Sequence, residues 1–410
     1  MAGSWVAVLL WWLSFMVGGG AWIAFWHSSK VLASIYFLLK ASISIGVAIG
    51  IYTIGRLLRG CRSVSLGDDR PKLTLKRRIG RLAVFAAVAL VALGGDMIIN
   101  RYEVARFPER DIQLPVGTGS PARLARHVQK LAGEIGIRNA NHPEALQGAI
   151  DYINAEFVSA GFQPQSQRYD VPTYGRGGGT AEMVNISVTI PGDTPDAPIL
   201  VVGAHYDTAD GTPGADDNAS AVAVLLELAH RLKRTPGRVE LHLVAFSTEE
   251  PPYFGTKKMG SYHSARTLKD TGRKVIGMIS LEMLGYYRDE RESQKYPPFL
   301  SPFFPDTANF VSVVSDLKSR RFLRRVREAF KPSGNLPVVA AAVPKIISSV
   351  GLSDHSSYWK NDIRAVMITD TAFLRNRHYH QMSDLPSHLD YERMANVLDG
   401  VEKAVIELRR

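Results

Sequence analysis

The chain has 410 residues, of which 46% are hydrophobic and 21% charged, and this length indicates more than one domain. Its formal net charge is +10, but Lys30, Lys40 and the stretch 56–81 supply +9 of it. The near-neutral remainder, residues 82–410, excludes a nucleic-acid-binding domain, which needs positive charge to neutralise phosphates. The single cysteine, Cys61, excludes an intramolecular disulfide and a multi-cysteine metal site.

Three apolar segments near the amino terminus predict membrane-spanning helices. Residues 5–26 contain no charged side chain and are long enough to cross about 30 Å of hydrocarbon as a helix. Residues 31–55, interrupted by Lys40, and residues 82–99 are the second and third candidates. A cleavable signal peptide is the alternative for the first segment, but the basic n-region of such a peptide is missing. We therefore interpret residues 1–100 as a membrane region with about three transmembrane helices.

The loop between the second and third predicted spans is strongly basic. Residues 56–81 contain nine basic and two acidic residues. Short basic loops stay in the cytoplasm, so the chain after residue 100 is expected on the non-cytoplasmic side. We favour a bacterial inner membrane, with the following domain facing the periplasm, over an organelle lumen, although Asn185 and Asn218 begin Asn-x-Ser patterns. The lipid bilayer is thus an expected partner.

The rest of the chain predicts a linker and one large domain. Residues 101–120 are polar and proline-punctuated, as linkers are, and residues 121–410 alternate short apolar runs with amphipathic stretches. The apolar runs, which predict strands, are 184–190, 199–204, 239–246, 275–281, 310–314 and 365–369. The amphipathic stretches, which predict helices, are 143–161, 219–233, 260–271, 317–330 and 391–408. This alternation predicts an α/β fold, a three-layer α/β/α sandwich with a mostly parallel mixed sheet.

Acidic residues and histidines follow several predicted strands. His205 and Asp207 follow one strand, Glu249 and Glu250 follow the next, and Glu282 follows a third. In α/β sheets, ligands bind beyond the carboxyl ends of the parallel strands. Residues two apart on a strand share a face, so Asp207 can accept a hydrogen bond from His205 and orient it as a metal ligand. Of two adjacent carboxylates, one can bind a metal while the other accepts a proton from water.

Two further motifs contain the same residue types. The sequence Asp216-Asp217-Asn218 opens the helix predicted at 219–233, and an N-cap would explain one of these acids but not both. Near the carboxyl terminus, His380 is followed four residues later by Asp384. Each group alone can be an ordinary polar residue at a strand end. Five such groups in one α/β domain predict a metal centre.

The motifs GAHYD, GADDN, TEE, SLEMLG and HQMSD, in this order and with these gaps, resemble the two-zinc exopeptidase family of clan MH. This family includes bacterial aminopeptidases and glutamate carboxypeptidase-like enzymes, with glutaminyl cyclases as relatives, and the resemblance covers roughly residues 125–410. It implies the zinc exopeptidase fold and two divalent metal ions, expected to be zinc. The site residues that it implies are His205 on the first metal, Asp217 bridging both, Glu250 and His380 on the second, Glu249 as general base and Asp207 supporting His205.

One position departs from the family pattern. The remaining ligand of the first metal is usually Asp, whereas Glu282 stands here. Glutamate binds zinc at about 2.0–2.2 Å as aspartate does, but its extra methylene requires the backbone or the metal to shift. Weaker occupancy of the first site, or a different metal preference, is therefore expected, and hydrolysis is not excluded.

The resemblance implies a peptidase, and we expect removal of amino-terminal residues from peptide substrates by a water activated by two metals. One alternative is a glutaminyl cyclase-like acyltransferase, which would work with one zinc. Another is an inactive, receptor-like ectodomain, which should have lost ligands, whereas every expected ligand type is present. The preferred side chain, the oligomeric state and the role of the membrane helices are not determined by the sequence.

Two other features bear on a substrate pocket. His355, in the segment Ser353-Asp354-His355, is expected to line the pocket and not to bind metal. The connection 285–306 is long, and such connections are often lids or binding loops.

Overall fold

A mixed eight-stranded β-sheet forms the centre of the fold in the computed structural model, which describes residues 113–173, 178–296, 304–345 and 347–410. The strands are β1 (Gln165–Thr173), β2 (Gly179–Ile190), β3 (Ile199–His205), β4 (Glu240–Phe246), β5 (Val275–Glu282), β6 (Val311–Ser315), β7 (Val338–Ala342) and β8 (Ala365–Thr369). Their order is β1-β2-β4-β3-β5-β8-β6-β7. Strands β4, β3, β5 and β8 are parallel, β1, β2 and β4 are joined by antiparallel pairings, and β6 runs antiparallel to β8.

The helices among the described residues are α1 (Ser120–Val128), α2 (Pro143–Ser159), α3 (Ala221–Leu232), α4 (Gly260–Asp270), α5 (Arg320–Ala329), α6 (His355–Lys360) and α7 (Tyr391–Leu408). Wider π-helical turns at Gln129–Ile135 and Ala215–Ser220 follow α1 and precede α3. Short 3-10 turns occur at Ser348–Gly351, Ala372–Leu374 and Pro386–His388.

Helices cover both faces of the sheet. On one face, Leu200 and Val202 of β3 pack in a core that also contains residues of α1, α2, α3, α5 and α7. On the other face, Ile199 and Val201 pack with residues of α4 and α6. All seven residues of β3 are buried, because alternate side chains enter the two cores. The predicted α/β fold, with helices on both faces of a mixed sheet, is confirmed.

All six predicted strands occur, but the two outermost strands were not predicted. Strand β1 is polar and largely exposed, and it contains Pro172, a residue that is tolerated in a sheet mainly at an edge. At the other edge, all five residues of β7 are only partly buried. Strand β1 lacks the continuous apolar run that marks a central strand. Strand β7 does show such a run, Val-Val-Ala-Ala-Ala, but it was not included among the predicted strands.

The five predicted helices also occur, with small differences at their ends. Helix α3 begins at Ala221 and not at residue 219, because the turn Ala215–Ser220 comes first. Helices α1 and α6 were not predicted, since nine and six residues are too few to show a clear helical period. Helix α7 begins after Asp390, whose side chain accepts a hydrogen bond from the backbone of Arg393 as an N-cap does.

The predicted membrane spans at 5–26, 31–55 and 82–99 and the basic loop at 56–81 lie outside the described residues. Among the helices that are described, none is both long and apolar enough to cross a bilayer. Residues 101–112 of the predicted linker are also outside the described part, and residues 113–119 are irregular up to the start of α1.

Candidate metal centre

The predicted ligands meet at the carboxyl edge of the parallel strands. His205 is the last residue of β3, and Glu282 is the last residue of β5. Glu249 and Glu250 follow the end of β4 by three and four residues. Strand β3 lies between β4 and β5 and is parallel to both. These three neighbouring strands therefore deliver the imidazole and the carboxylates to the same place.

Asp217 enters this space from the turn before α3. Its backbone is not helical (φ −105°, ψ 86°), and the residue as a whole is 2% exposed. The backbone N–H groups of Asp216 and Asp217 donate to the Asp384 carboxylate, at 3.0 Å to Oδ1 and 3.1 Å to Oδ2. Asp384 lies 167 residues further along the chain, so this contact fixes the turn by tertiary structure.

The two carboxylate oxygens of Asp217 face two different histidines. Oδ1 lies 3.3 Å from His205 Nε2, and Oδ2 lies 3.2 Å from His380 Nε2. The His205 nitrogen is also 3.6 Å from Glu282 Oε2, and the His380 nitrogen is 3.3 Å from Glu250 Oε2. Two groups of three side chains result, one with His205 and Glu282 and one with His380 and Glu250, and they share Asp217.

Several nitrogen and oxygen atoms of these residues, which could bind a metal, have no hydrogen-bond partner within the described ranges. They are His205 Nε2, Asp217 Oδ1, Glu250 Oε1 and His380 Nε2, all shielded from water. Buried polar atoms are rarely left without a partner. Imidazole nitrogens and carboxylate oxygens are the ligands that zinc prefers in catalytic sites. The donor set of each group therefore fits a zinc ion.

Burial and mutual proximity shift the pKa values of these groups. Burial raises the pKa of Glu249, Glu250 and Glu282 above the usual range for a carboxyl group. Burial would also raise the pKa of Asp217, but the imidazoles of His205 and His380 lower it below its usual range. Burial opposes protonation of His380, yet the adjacent Glu250 and Asp217 raise its pKa to about 11. The cluster of buried acids thus strongly attracts positive charge.

Glu249 belongs to neither of these two groups, but it forms a third set with His205 and Glu250 whose ligand atoms are also close enough to hold an ion. Its Oε2 lies 3.9 Å from His205 Nε2, and the residue is 6% exposed. Its carboxylate is near His205 of the first group and Glu250 of the second, so it can contact a water molecule that lies between the groups. Neither of these two groups of three needs this carboxylate as a ligand. This position suits a proton acceptor beside the metal ligands.

Asp207 contacts His205 through both its main chain and its carboxylate. His205 Nδ1 makes its hydrogen bond with the backbone oxygen of Asp207 at 3.2 Å, and the nearest carboxylate oxygen is 3.5 Å away. The carboxylate also accepts from the backbone N–H groups of Glu249 and Glu250, each at 3.2 Å. Asp207 is therefore placed to support His205, as expected, and it also holds the backbone of the two glutamates.

Comparison with known sequences decides the family. Residues 185–405, which contain the six predicted ligand and base positions and Asp207, match the sequence profile described as Peptidase family M28. The chain belongs to this family. Its relatives in peptidase family M28 and among zinc aminopeptidases make it a zinc-dependent hydrolase.

Several proteins of known sequence or structure are similar to this M28 chain. The uncharacterized protein YfbL of Escherichia coli (strain K12) is 40% identical over 291 residues, 69% of this chain and 86% of that protein. Leucine aminopeptidase 1 of Trichophyton equinum is 27% identical over 236 residues, but the match spans only 55% of this chain and 58% of the fungal protein.

Solved structures agree on the fold. The zinc aminopeptidase of Bacillus subtilis superposes with a TM-score of 0.54 at 18% identity, covering 72% of this chain and 96% of the other. The glutaminyl cyclase of Fimbriiglobus ruber superposes with a TM-score of 0.50 at 19% identity, covering 74% and 99%. Because both activities occur on this fold, the activity must be argued from the site.

The M28 site also contains residues that were not predicted from the sequence, and Arg138 is the most prominent. This arginine precedes α2, is 0% exposed, and has its pKa lowered by burial to about 10, so it stays charged at neutral pH. Within the described part of the chain, its guanidinium donates only to backbone oxygens: those of Leu131, Gly136, Tyr206, Pro213 and Gly214, at 2.6–3.2 Å. It thereby joins the segment after His205 to the segment before Asp217. A lone arginine in a polar stretch gives no sequence pattern from which this could be predicted.

Ser353 was noticed only as a neighbour of His355. Its hydroxyl donates to Glu282 Oε2 at 2.6 Å and lies 3.0 Å from the Ser280 hydroxyl. The longer glutamate side chain is therefore oriented by a serine from another part of the chain.

His355 does not line a pocket, contrary to the expectation. It is fully buried, its Nε2 lies 2.7 Å from the backbone oxygen of Val350, and its ring meets Trp359 edge-on. Burial lowers the pKa of His355 to about 4, so the ring is neutral. The long connection 285–306 is described only in part, and its function as a lid stays a prediction.

Proposed function

We propose that this M28 enzyme is an aminopeptidase that uses two zinc ions. The observation that supports this most directly is the arrangement of Asp217, whose two carboxylate oxygens face two separate sets of nitrogen and oxygen donors. His205 and Glu282 would hold one ion, and His380 and Glu250 the other. Zinc bound by these residues would supply polarisation of the scissile carbonyl and would make water a better nucleophile.

The chain's own residues supply the remaining chemistry. Glu249, at the side of both ligand groups, accepts the proton of the attacking water on a carboxylate oxygen and returns it to the leaving amine. The Asp207 carboxylate keeps Glu249 in place by accepting a hydrogen bond from the Glu249 backbone N–H. The acidic surroundings that favour metal ions also favour the free ammonium group at the start of a peptide. The proposed products are therefore the free amino-terminal residue, whose carbonyl the water attacks, and the shortened peptide, which leaves as the amine.

The test is metal analysis of the purified full chain together with a panel of aminoacyl p-nitroanilides. We expect two zinc ions per chain and hydrolysis that requires a free amino group. The same substrates with an acetylated amine are the matched control and should not be cleaved. Cleavage of acetylated and free substrates alike would contradict the aminopeptidase proposal.

The alternative cyclase needs only the second group, with Asp217, Glu250 and His380 on one zinc and Glu249 as the acid and base. The complete first group, His205 with Glu282, favours the peptidase. Release of pyroglutamate from an amino-terminal glutaminyl peptide, without cleavage of the panel, would identify the cyclase. The inactive alternative predicts neither product and no bound zinc.

We further propose that residues 1–100 anchor the enzyme in a membrane by about three helices, with the basic loop 56–81 in the cytoplasm. In this arrangement residues 121–410 form the exported catalytic domain, connected by 101–120, and face the periplasm of a bacterial cell. The support is the sequence alone: long uncharged segments and the positive-inside rule.

A further inference from the structure

One helix far from the metal ligands in sequence has a surface of unpaired positive charge. Helix α5 and its flanks contain seven cations in fourteen residues, and the only acid among them is Glu328. All seven are exposed; they are Lys318, Arg320, Arg321, Arg324, Arg325, Arg327 and Lys331, and together they are called the basic face. The opposite side of the helix is apolar: Phe322, Leu323 and Val326 are buried in the core.

Among the described residues, the acid that interacts with the basic face is Asp362, whose pKa is lowered mainly by Lys269 and also by Lys318; no ion pair neutralises the rest of the face. Within the described ranges, none of the seven cationic side chains forms an ion pair or a hydrogen bond, whereas Arg231, Arg273 and Arg393 each pair with acids. Several cations of the basic face are four residues apart, as Arg320 is from Arg324 and Arg321 from Arg325. Like charges at this spacing repel each other and destabilise a helix. An arrangement that costs stability and serves no internal contact indicates an external partner.

A partner of the basic face must be anionic. The charge of the rest of the domain indicates which class of anionic partner fits. Residues 82–410 have a net charge of +1, of which 318–331 supply +6, so the remainder of this stretch carries −5. A nucleic acid or a long acidic polymer that extended beyond the helix would meet that negative remainder. A planar array of phosphates that touches only one helix face would not. Arginine, which supplies five of the seven cations, pairs with phosphate through two hydrogen bonds.

We infer that the basic face docks on the surface of a membrane that contains anionic phospholipids. The proposed membrane anchor, residues 1–100, would bring the domain to such a membrane surface. The inference depends on the proposed function only through this anchor. Residues 101–112, between the predicted third span and the first described residue, reach at most about 40 Å when fully extended. The domain therefore stays close to the bilayer, where the local concentration of headgroups is high. Basic residues near such a surface are attracted by its negative potential.

The experiment uses the full chain with a single donor fluorophore near the basic face. Cys61 is replaced by serine, and Leu317→Cys provides the attachment site, because Leu317 is 48% exposed and next to the helix. The protein is reconstituted into phosphatidylcholine nanodiscs, with or without phosphatidylglycerol, that contain a lipid with an acceptor on its headgroup. We expect higher energy transfer in the anionic discs and its loss at about 1 M salt, where charges are screened beyond about 3 Å.

Matched variants separate the basic face from total charge. Replacing Arg321, Arg324 and Arg325 by Gln should weaken docking by about fivefold per arginine removed. Replacing Arg234, Arg238 and Lys274 by Gln removes the same charge from exposed positions elsewhere and should leave docking unchanged. Neither set lies in the metal centre, so hydrolysis of a soluble substrate should be normal in both. Equal transfer in neutral and anionic discs, or equal loss in both variants, would overturn the inference.

Two further measurements distinguish this inference from the proposed anchor and from other partners. Extraction of native membranes with alkaline carbonate tests the anchor, and a released chain would contradict the anchor alone. In that case, flotation of the released chain with vesicles of the same anionic or neutral lipids would test docking. Flotation with the anionic vesicles alone would support it. Tighter retention of the chain on polyglutamate or single-stranded DNA than on anionic vesicles would overturn the membrane inference.

Discussion

Glu249 and Glu250 are adjacent in the sequence, yet they have different neighbours. Glu250 Oε2 lies 3.3 Å from His380 Nε2 within a ligand group, whereas the nearest histidine nitrogen to Glu249 Oε2, that of His205, is 3.9 Å away. We predict that Glu249→Gln lowers kcat by about 10²–10⁴-fold while zinc content stays the same, because a base is lost and not a ligand.

Glu250→Gln is the matched control, since it is the same chemical change one residue away. We expect this variant to lose zinc from the second group, which metal analysis by mass spectrometry will show. If both variants lost zinc to the same extent, or if Glu249→Gln remained fully active, the assigned roles would be wrong.

Glu282 provides the second residue-scale prediction, because it replaces the usual Asp. The carboxylate is oriented by Ser353 and lies 3.6 Å from His205 Nε2. Glu282→Asp withdraws the carboxylate by one methylene, and metal sites tolerate only about 0.2 Å in bond length. We expect weaker zinc binding in the first group, and Glu282→Ala should be more severe while the second group keeps its zinc.

Zinc titration of both Glu282 variants, followed by metal content and hydrolysis, checks this prediction. Two bound zinc ions and normal turnover in Glu282→Ala would show that Glu282 is not a ligand. That outcome would also return the one-zinc cyclase to consideration.

Arg138 provides a third prediction at this scale. Its guanidinium binds the backbone oxygen of Tyr206, next to His205, and those of Pro213 and Gly214, shortly before Asp217. We predict that Arg138→Met lowers zinc affinity by about 10–100-fold, the range typical of residues that position ligands. Arg138→Lys keeps the charge but not the planar donor geometry, so it should recover only part of the affinity.

Competition with a zinc chelator measures these affinities, and the circular dichroism spectrum of the zinc-free protein controls for folding. A folded Arg138→Met protein with wild-type zinc affinity would show that this arginine does not position the ligands. Arg138→Lys keeps the test decisive if the methionine variant does not fold.

At the scale of elements, β3 shows how packing places a ligand. Gly203, two residues before His205, lies against β4, and a Cβ atom there would collide with the Phe246 ring and come within 2.9 Å of the Val244 backbone oxygen. We predict that Gly203→Ala destabilises the protein by about 1–3 kcal/mol, the usual cost of overpacking.

Gly148→Ala is the matched control for this change. Gly148 lies within α2, and the nearest atom that an added Cβ would meet is 3.9 Å away, in Ile135. Alanine should there stabilise the protein by about 0.4–1 kcal/mol, because it restricts the unfolded chain. Thermal melts of Gly203→Ala and Gly148→Ala will measure the two changes in stability. Equal changes at the two positions would contradict the packing argument.

At the scale of the whole molecule, the proposed topology makes a prediction about location. Alkaline phosphatase, which is active only outside the cytoplasm, should be active when fused after residue 100. The same enzyme fused after residue 66, in the basic loop, should be inactive, because positive loops are retained in the cytoplasm. Activity only in the second fusion would invert the topology and contradict export of the catalytic domain.

The sequence by itself determined the central strands and the residues that surround the site. Val201 and Val202 belong to an apolar run that must be buried on both faces, and burial of this kind is visible locally because every residue in the run is affected. His205, Glu250 and Glu282 could be predicted to meet because parallel neighbouring strands end at one edge of a sheet. Their roles as ligands rest on the family resemblance and on the geometry, and the variants described above test those roles.

Only the tertiary structure decided how these side chains are oriented. Asp384 binds the backbone of Asp217 across 167 residues, Ser353 binds Glu282 across 71, and Arg138 reaches Gly214 across 76. Each contact involves a single polar residue, and a single residue has no period or run that a sequence could display. Hydrophobic burial acts on whole segments and leaves a repeating pattern, whereas a directed hydrogen bond between distant segments depends on one atom pair that exists only after the chain has folded.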